Sequence, residues 1–106
     1  MEPTITEHEL IKLKKNLYYE KGSIMTTTIY KTDIQTVAGL AFDRGQSIMP
    51  CISPSNVMIH ILEGQAEVMI AGKNYDIFEG DKILMPKDKI HALFAKTKLK
   101  LALVKG

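Results

Sequence analysis

The sequence has a single cysteine and no long apolar run, and these two absences exclude several classes of protein. One cysteine cannot form an internal disulfide, so the cross-linked scaffold of small secreted domains is excluded. No stretch approaches the ~20 apolar residues that a membrane-spanning helix needs. The first residues also lack the basic and then apolar layout of a signal peptide. We therefore expect a protein of the reducing cytoplasm that does not bind a membrane.

Neither sign of charge is in large excess, since the formal net charge is +2. So small an excess argues against nucleic acid as a partner. Lys96, Lys98 and Lys100 form the visible basic cluster, and their alternation places all three on one face of a strand. Exposed strands commonly carry lysine, which discourages pairing with other chains. We interpret the cluster as a solvated strand face.

Catalytic signatures are missing as well. The sequence contains no P-loop, no G-x-G-x-x-G, no C-x-x-C and no H-E-x-x-H. No serine has an identifiable partner base and carboxylate, and the acidic residues cluster near turns, where solvation accounts for them. No residue is therefore assigned a catalytic role, and the sequence favours a protein that is not an enzyme.

The 106 residues are enough for one small domain, and the sequence pattern changes once within it. Thr6 and Glu9 form a T-x-x-E capping box, after which apolar residues recur at helical spacing. These features predict a short helix at about 7–16, within an N-terminal helix and lead-in over residues 1–22. We expect this segment to pack as a flap on residues 23–106 or on a neighbouring subunit.

From residue 23 onward the apolar residues follow a period of two, which predicts strands. The predicted strands are Ser23–Lys31, Ile34–Phe42, Asn56–Leu62, Gln65–Ala71, Asn74–Phe78, Lys82–Met85, Ile90–Ala95 and Leu99–Val104. Gln46–Ser55 contains Pro50 and Pro54, so we expect a stiff extended connection and not a central strand. About nine short extended segments separated by turns are typical of an all-β sandwich or barrel.

Two glycine-anchored patterns lie within this region. The first consists of Gly45, Cys51, Ser53, Val57 and Gly64, and the second of Gly80, Pro86, Asp88 and His91. Their spacing resembles, without a gap, the two motifs of the cupin superfamily, G(X)5HXH(X)3-4E(X)6G and G(X)5PXG(X)2H(X)3N. The resemblance covers roughly residues 36–104. It implies a small single-domain, all-β protein with a cupin-like jelly-roll barrel, or double-stranded β-helix, and one short N-terminal helix.

The resemblance also implies where a metal would bind, and most of those positions hold other residues. Cys51 and Ser53 stand in place of the two histidines and Val57 in place of the glutamate, whereas His91 is retained. Metal sites in proteins usually draw three or more ligands from His, Cys, Asp and Glu. We therefore expect no cofactor and a largely lost metal site. A divalent transition metal held by Cys51 and His91, with water or substrate completing its coordination, is the alternative.

Strand parity indicates which side chains point inward. His91 and Leu93 share a parity with the apolar Leu99 and Leu101, while the lysines have the opposite parity. Cys51, Ser53 and Val57 share a parity among themselves, which would let them face a common cavity, and the resemblance places them opposite His91. We therefore predict a ligand-binding set that consists of Cys51, Ser53, Val57, His91 and Leu93.

Cys51 has three interpretations from the sequence. It is a small, buried and inert apolar residue, as free cysteines often are. It is one ligand of a partial metal site. Or it is a thiol activated by His91, as in a nucleophile or redox sensor. The first is favoured, because no third group that would orient His91 can be named.

His60 has the opposite parity to Val57 and is expected to face away from the cavity. It shares that outer face with Met58 and Leu62. An apolar outer face on a small barrel indicates a subunit interface, so we predict a homodimer with this face as one candidate contact.

Three functions remain open at this point. The first is a metal-independent module that holds an unknown small organic molecule in the barrel. The second is a metal-dependent enzyme of isomerase or dioxygenase type with an unusual Cys/His site, the kind of activity that the resemblance implies. The third is a structural or regulatory protein in which the barrel is vestigial and the surface matters.

Overall fold

The computed structural model of the protein describes residues 12–106. A four-residue helix, α1, spans Leu13–Asn16, so this part of the predicted helix at about 7–16 is present. Its remainder and the Thr6–Glu9 capping box lie outside the described residues. Nine strands follow, namely β1 Ile24–Lys31, β2 Thr36–Phe42, β3 Ser47–Ile52, β4 Val57–Glu63, β5 Gln65–Ile70, β6 Lys73–Phe78, β7 Lys82–Met85, β8 Ile90–Ala95 and β9 Leu99–Lys105.

The strands form two antiparallel sheets, and this confirms the predicted all-β fold. One sheet has the order β1-β2-β9-β4-β7, and the other has the order β3-β8-β5-β6. Alternation along each strand sends one set of apolar side chains between the sheets. In β4, for example, Val57, Ile59 and Ile61 are buried while Met58 is exposed. The core therefore lies between the two sheets, and Phe42, Ile61 and Leu101 are among its fully enclosed members.

The segment that follows α1 packs on the outside of the five-stranded sheet. Leu17 is only 2% exposed, and it covers Gly39 on the outer face of β2. A Cβ atom at Gly39 would lie 2.8 Å from the Cδ1 atom of Leu13 and from the Cδ2 atom of Leu17. The absence of a side chain at Gly39 therefore lets the N-terminal segment approach the sheet closely. The described part of the predicted flap, with Leu13 and Leu17, thus packs on the barrel of its own chain.

Tyr19 fixes the end of this segment. Its hydroxyl donates a hydrogen bond to the carboxylate of Glu63, and the ammonium groups of Lys98 and Lys100 lie 5.3 and 5.1 Å from the centre of its ring. The ammonium group of Lys100 also donates to the backbone oxygen of Lys14 at 2.9 Å. Partial burial, together with the hydrogen bond to Glu63 and its negative charge, raises the pKa of Tyr19.

The lysine cluster is therefore not the simple solvated face that we expected. Lys98 and Lys100 contact Tyr19 by cation–π interactions, which the sequence pattern could not indicate because Tyr19 is distant in sequence. Lys96 pairs with Asp76 at 2.8 Å and lies 3.8 Å from Glu67. Each of the three lysines thus has a specific partner on another element.

The Pro-containing segment also differs from its prediction. Ser47–Ile52 within it forms strand β3, which pairs with β8 through Ile48 opposite Leu93 and Cys51 opposite His91. The register shifts between Ile48 and Cys51, around Pro50. Because β3 is at the edge of its sheet, one side of its backbone needs no strand partner. Proline is tolerated in an edge strand or at an irregularity. The presence of Pro50 therefore argued against a central strand but not against an edge strand.

We predict that Gly64→Ala destabilises the fold far more than Gly72→Ala. Both glycines have a positive φ, which costs a side-chain-bearing residue about 1–2 kcal/mol. At Gly64, however, an added Cβ would lie 2.1 Å from the backbone oxygen of Lys98, whereas at Gly72 it would meet nothing within 4 Å. Urea denaturation should give a free energy of unfolding at least ~2 kcal/mol lower for Gly64→Ala than for Gly72→Ala. Equal losses would show that the turn at Gly64 has room.

We also predict a pH-dependent contribution of Tyr19, tested with Tyr19→Phe. The raised pKa means that the folded chain holds the Tyr19 proton more tightly than the unfolded chain. This contribution is complete below the ordinary tyrosine pKa of about 10 and is lost as the pH rises above it. Urea unfolding across that range should show a steeper alkaline loss of stability in the unchanged protein than in Tyr19→Phe. Parallel curves would contradict the prediction.

Candidate functional site

A cavity of about 240 Å³ opens at one end of the barrel. The strand register explains its position, because Cys51 is opposite His91 and Val57 is opposite both Met85 and Lys105. The ends of β3, β7 and β9 and the starts of β4 and β8 therefore meet at this mouth. Its walls are mainly apolar, and include Leu40, Ile48, Ile59, Met85, Leu101 and Leu103.

All five residues of the predicted ligand-binding set line this one cavity. Val57, Leu93, His91 and Ser53 are buried, whereas Cys51 is exposed. The structure therefore brings together the side chains that strand parity and motif spacing selected. Their role in binding a ligand stays a prediction.

Cys51 and His91 are in direct contact at the cavity. The Cys51 Sγ and the His91 Nε2 atoms are 3.5 Å apart, as expected for register partners whose side chains point to the same side. His91 is only 6% exposed, and its Nδ1 atom is buried without a hydrogen-bond partner among the described residues. A buried N–H without an acceptor is costly. We therefore assign the ring hydrogen of the neutral imidazole to Nε2, which faces Cys51.

This geometry bears on the three interpretations of Cys51. The buried, inert cysteine is wrong as to burial, because Cys51 is exposed on the edge strand β3. An imidazolium beside a thiolate, as in an activated nucleophile, would leave an N–H on Nδ1 of His91 with no acceptor in the described part of the chain. This geometry therefore disfavours the activated thiol.

Ser53 is fixed by the loops on either side of the mouth. Its Oγ atom accepts a hydrogen bond from the backbone N–H of Ser55 at 3.1 Å. Its backbone oxygen accepts from the N–H of Asp88 at 2.9 Å. Asp88 has a φ of 65°, the left-handed conformation that glycine would adopt at this motif position and that aspartate tolerates. The β3–β4 loop and the β7–β8 loop are thereby held together at the cavity mouth.

Lys105 is a charged cavity residue that the sequence reasoning missed. It lies at the end of β9 and continues the inward-facing row of Leu99, Leu101 and Leu103. The parity rule would have identified it if the predicted strand had not ended at Val104. Within the described residues no ion pair involves its ammonium group, in contrast to Lys96.

The described residues do not form a three-ligand metal site. Within residues 12–106, no group of three or more His, Cys, Asp or Glu side chains is placed to hold a metal ion. Val57 supplies no donor atom, and the Ser53 hydroxyl already accepts a backbone hydrogen bond. This leaves Cys51 and His91 as the donors at the mouth, fewer than the three that such sites usually require.

His60 lies on the outer face of β4, away from the cavity, as its parity predicted. It is half-buried there, between the exposed Met58 and the half-buried Leu62. The homodimer over this face stays a prediction. No helix among the described residues is long and apolar enough to cross a membrane.

Comparisons with solved structures identify the architecture. No protein-family model and no curated protein matches the chain. A conserved protein of unknown function from Streptococcus pyogenes is 28% identical with a TM-score of 0.90, over 98% of this chain and 91% of that chain. A cupin superfamily protein from Desulfitobacterium hafniense is 17% identical with a TM-score of 0.89, over 99% of this chain and 96% of that chain. An RmlC-like cupin from Shewanella frigidimarina is 16% identical with a TM-score of 0.80, over 99% of this chain and 93% of that chain. The two-sheet barrel of this chain is therefore the fold of the cupin superfamily.

Proposed function

We propose that the protein binds a small organic molecule in the barrel cavity, without a metal ion. One observation carries the proposal, namely an apolar cavity whose few polar side chains lie together at its mouth. Small-molecule sites in proteins commonly combine apolar walls with a small number of placed polar groups. In this chain, Val57 and Leu93 would contact the body of the ligand, and Cys51, Ser53 and His91 would contact its polar group.

The size of the cavity restricts the ligand. A volume of about 240 Å³ corresponds to roughly eight water molecules at the ~30 Å³ each that liquid water occupies. The ligand would therefore have roughly ten non-hydrogen atoms or fewer. A wider groove of about 310 Å³ lies on the outer side of the four-stranded sheet, between Met49, Met69 and Phe94. It brings no His or Cys side chain to a ligand, so the barrel cavity is the better candidate.

The two alternatives receive less support. A metal-dependent isomerase or dioxygenase would need a third ligand at the mouth, where Val57 offers none. A structural or regulatory role in which the barrel is vestigial would not require an open cavity beside a buried histidine nitrogen that has no partner among the described residues. The exposed thiol of Cys51 is in keeping with the reducing cytoplasm that we expect for this protein.

Elemental analysis tests the metal-independent part of the proposal. Protein purified without a chelator and without a metal-affinity tag should contain iron, manganese, nickel and zinc at well below one atom per chain. We expect this because Cys51 and His91 are the two potential metal ligands at the mouth, whereas structural and catalytic sites usually use three or more protein ligands. Near-stoichiometric metal that disappears in His91→Ala would instead favour the enzyme.

Binding itself is tested with 4-fluorobenzamide, a neutral probe that matches the cavity in size. Its ¹⁹F resonance should broaden on addition of the protein, and the probe should slow the alkylation of Cys51 by iodoacetamide, because Cys51 lies at the mouth. Val57→Phe, which fills the cavity, should remove both effects. Leu84→Phe adds a ring on the outer face of β7 and should remove neither.

Two results would overturn the proposal. If neither the resonance nor the alkylation rate changes in the unchanged protein, with this probe or with its charged analogues 4-fluorobenzoate and 4-fluorobenzylamine, small-molecule binding in this cavity is excluded for probes of this size. If Leu84→Phe abolishes binding while Val57→Phe does not, the site lies on the outer surface. Circular dichroism of both variants establishes that each keeps the β fold.

A further inference from the structure

Each polar side chain of the cavity offers a hydrogen-bond donor, and none is a carboxylate. Among the described residues that line it, none is Asp or Glu, and the polar side chains are those of Cys51, Ser53, His91 and Lys105. An ammonium group can only donate, and a thiol is a weak donor and a still weaker acceptor. The chemistry of the lining therefore selects for a ligand group that accepts hydrogen bonds.

Ser53 and His91 can each donate a hydrogen bond to a ligand, for different reasons. The Ser53 oxygen already accepts from the backbone N–H of Ser55, and its hydroxyl hydrogen can be donated to a ligand. The buried Nδ1 of His91 has no acceptor among the described residues, so the ring hydrogen is on Nε2 and is aimed at the Cys51 Sγ atom, 3.5 Å away. Sulfur is a weak acceptor, and a ligand oxygen would compete for this hydrogen successfully.

Lys105 adds a positive charge to this set of donors. It continues the inward-facing row of β9 and is opposite Val57, whose side chain also lines the cavity. Other lysines of the protein lie near carboxylates, as Lys96 does with Asp76 and Lys14 with Glu63. Within the described residues Lys105 has no such ion pair, and it places an ammonium group in the lining of the cavity.

We propose that the ligand of this cavity is a small organic anion, a carboxylate on an apolar body of about ten non-hydrogen atoms or fewer. The inference rests on the proposed function and specifies its ligand class. The carboxylate oxygens accept from Ser53 and from Nε2 of His91, and Lys105 balances the charge. Hydrogen bonds to charged acceptors are stronger than those between neutral groups, so an anion gains more from these donors than an amide or alcohol does.

A cationic ligand is disfavoured by the same arrangement. An ammonium group would face donors and the Lys105 charge, with no carboxylate of the lining to receive it. Its own N–H groups would exchange water for neutral acceptors only, which is costly for a charged group in a partly closed apolar cavity. Among ligands of equal size, we therefore expect an anion to bind most tightly, a neutral hydrogen-bond acceptor less tightly and a cation least tightly.

The test compares three probes that share one ring, namely 4-fluorobenzoate, 4-fluorobenzamide and 4-fluorobenzylamine. Dissociation constants measured by ¹⁹F NMR near pH 7.5 should be lowest for the benzoate and highest for the benzylamine. We expect benzoate to bind more tightly than benzylamine by at least about tenfold, which corresponds to ~1.4 kcal/mol. Amide shifts in ¹H–¹⁵N spectra should locate the bound benzoate at His91 and Leu93.

Lys105→Met isolates the contribution of the charge while it keeps a long apolar side chain. Because Lys105 is exposed at the mouth, its ion pair with the probe should contribute modestly, and benzoate binding should weaken by about threefold. The dissociation constant of 4-fluorobenzamide should be unchanged. Lys82→Met is the matched control on the outer face of β7, and it should alter neither probe.

The outcomes distinguish this inference from the proposed function. If none of the three probes binds, both are overturned. If 4-fluorobenzamide or 4-fluorobenzylamine binds in the cavity as tightly as the benzoate, the cavity binds small molecules but is not selective for anions, and only the inference fails. Equal weakening of benzoate by Lys105→Met and Lys82→Met would show a general electrostatic effect and would also overturn it.

Discussion

Apolar contact between the two sheets holds this small barrel together. With one cysteine the chain has no internal disulfide, so the inward rows of β2, β4 and β9 against those of β5 and β8 provide most of the cohesion. The same alternation that builds the core also builds the cavity, because the inward rows continue to the end of the barrel. There the core residues give way to Cys51, Ser53, His91 and Lys105, and the interior becomes polar only at the mouth.

The scaffold and the chemistry of the site are separable in this chain. Gly64 and Gly80 have the positive φ values that their turns require, and Asp88 adopts such a conformation without being glycine. Of these positions, only Asp88 is in a loop at the cavity mouth, where its N–H donates to the backbone oxygen of Ser53. The turns at Gly64 and Gly80 lie near the other end of β4, away from the cavity. Cys51, Ser53 and Val57, the positions that the motif resemblance assigns to metal ligands, carry a thiol, a hydroxyl and a hydrocarbon, and all three line one cavity.

Much of this arrangement could be predicted from the sequence. Period-two alternation identified the strands, and parity with motif spacing selected side chains that meet in one cavity. Three features could not be predicted, each for a physical reason. Lys105 was missed because it lies one residue beyond the predicted end of β9. Strand β3 was read as a connection because Pro50 weakens a ladder, although an edge strand tolerates it. The partners of Lys98 and Lys100 depend on where the N-terminal segment folds back, and no local pattern encodes that contact.

The position of Leu17 has a consequence for assembly. Leu17 and Leu13 already occupy the outer side of β2 at Gly39, and Tyr19 secures the segment to Glu63. That half of the five-stranded sheet is thus closed to a second chain by the protein's own N-terminal segment. Any symmetric pairing through this sheet is confined to the other half, formed by β4 and β7, where Met58, Leu84 and His60 are still accessible. The N-terminal segment thereby limits which part of the outer face of this sheet a second subunit can approach.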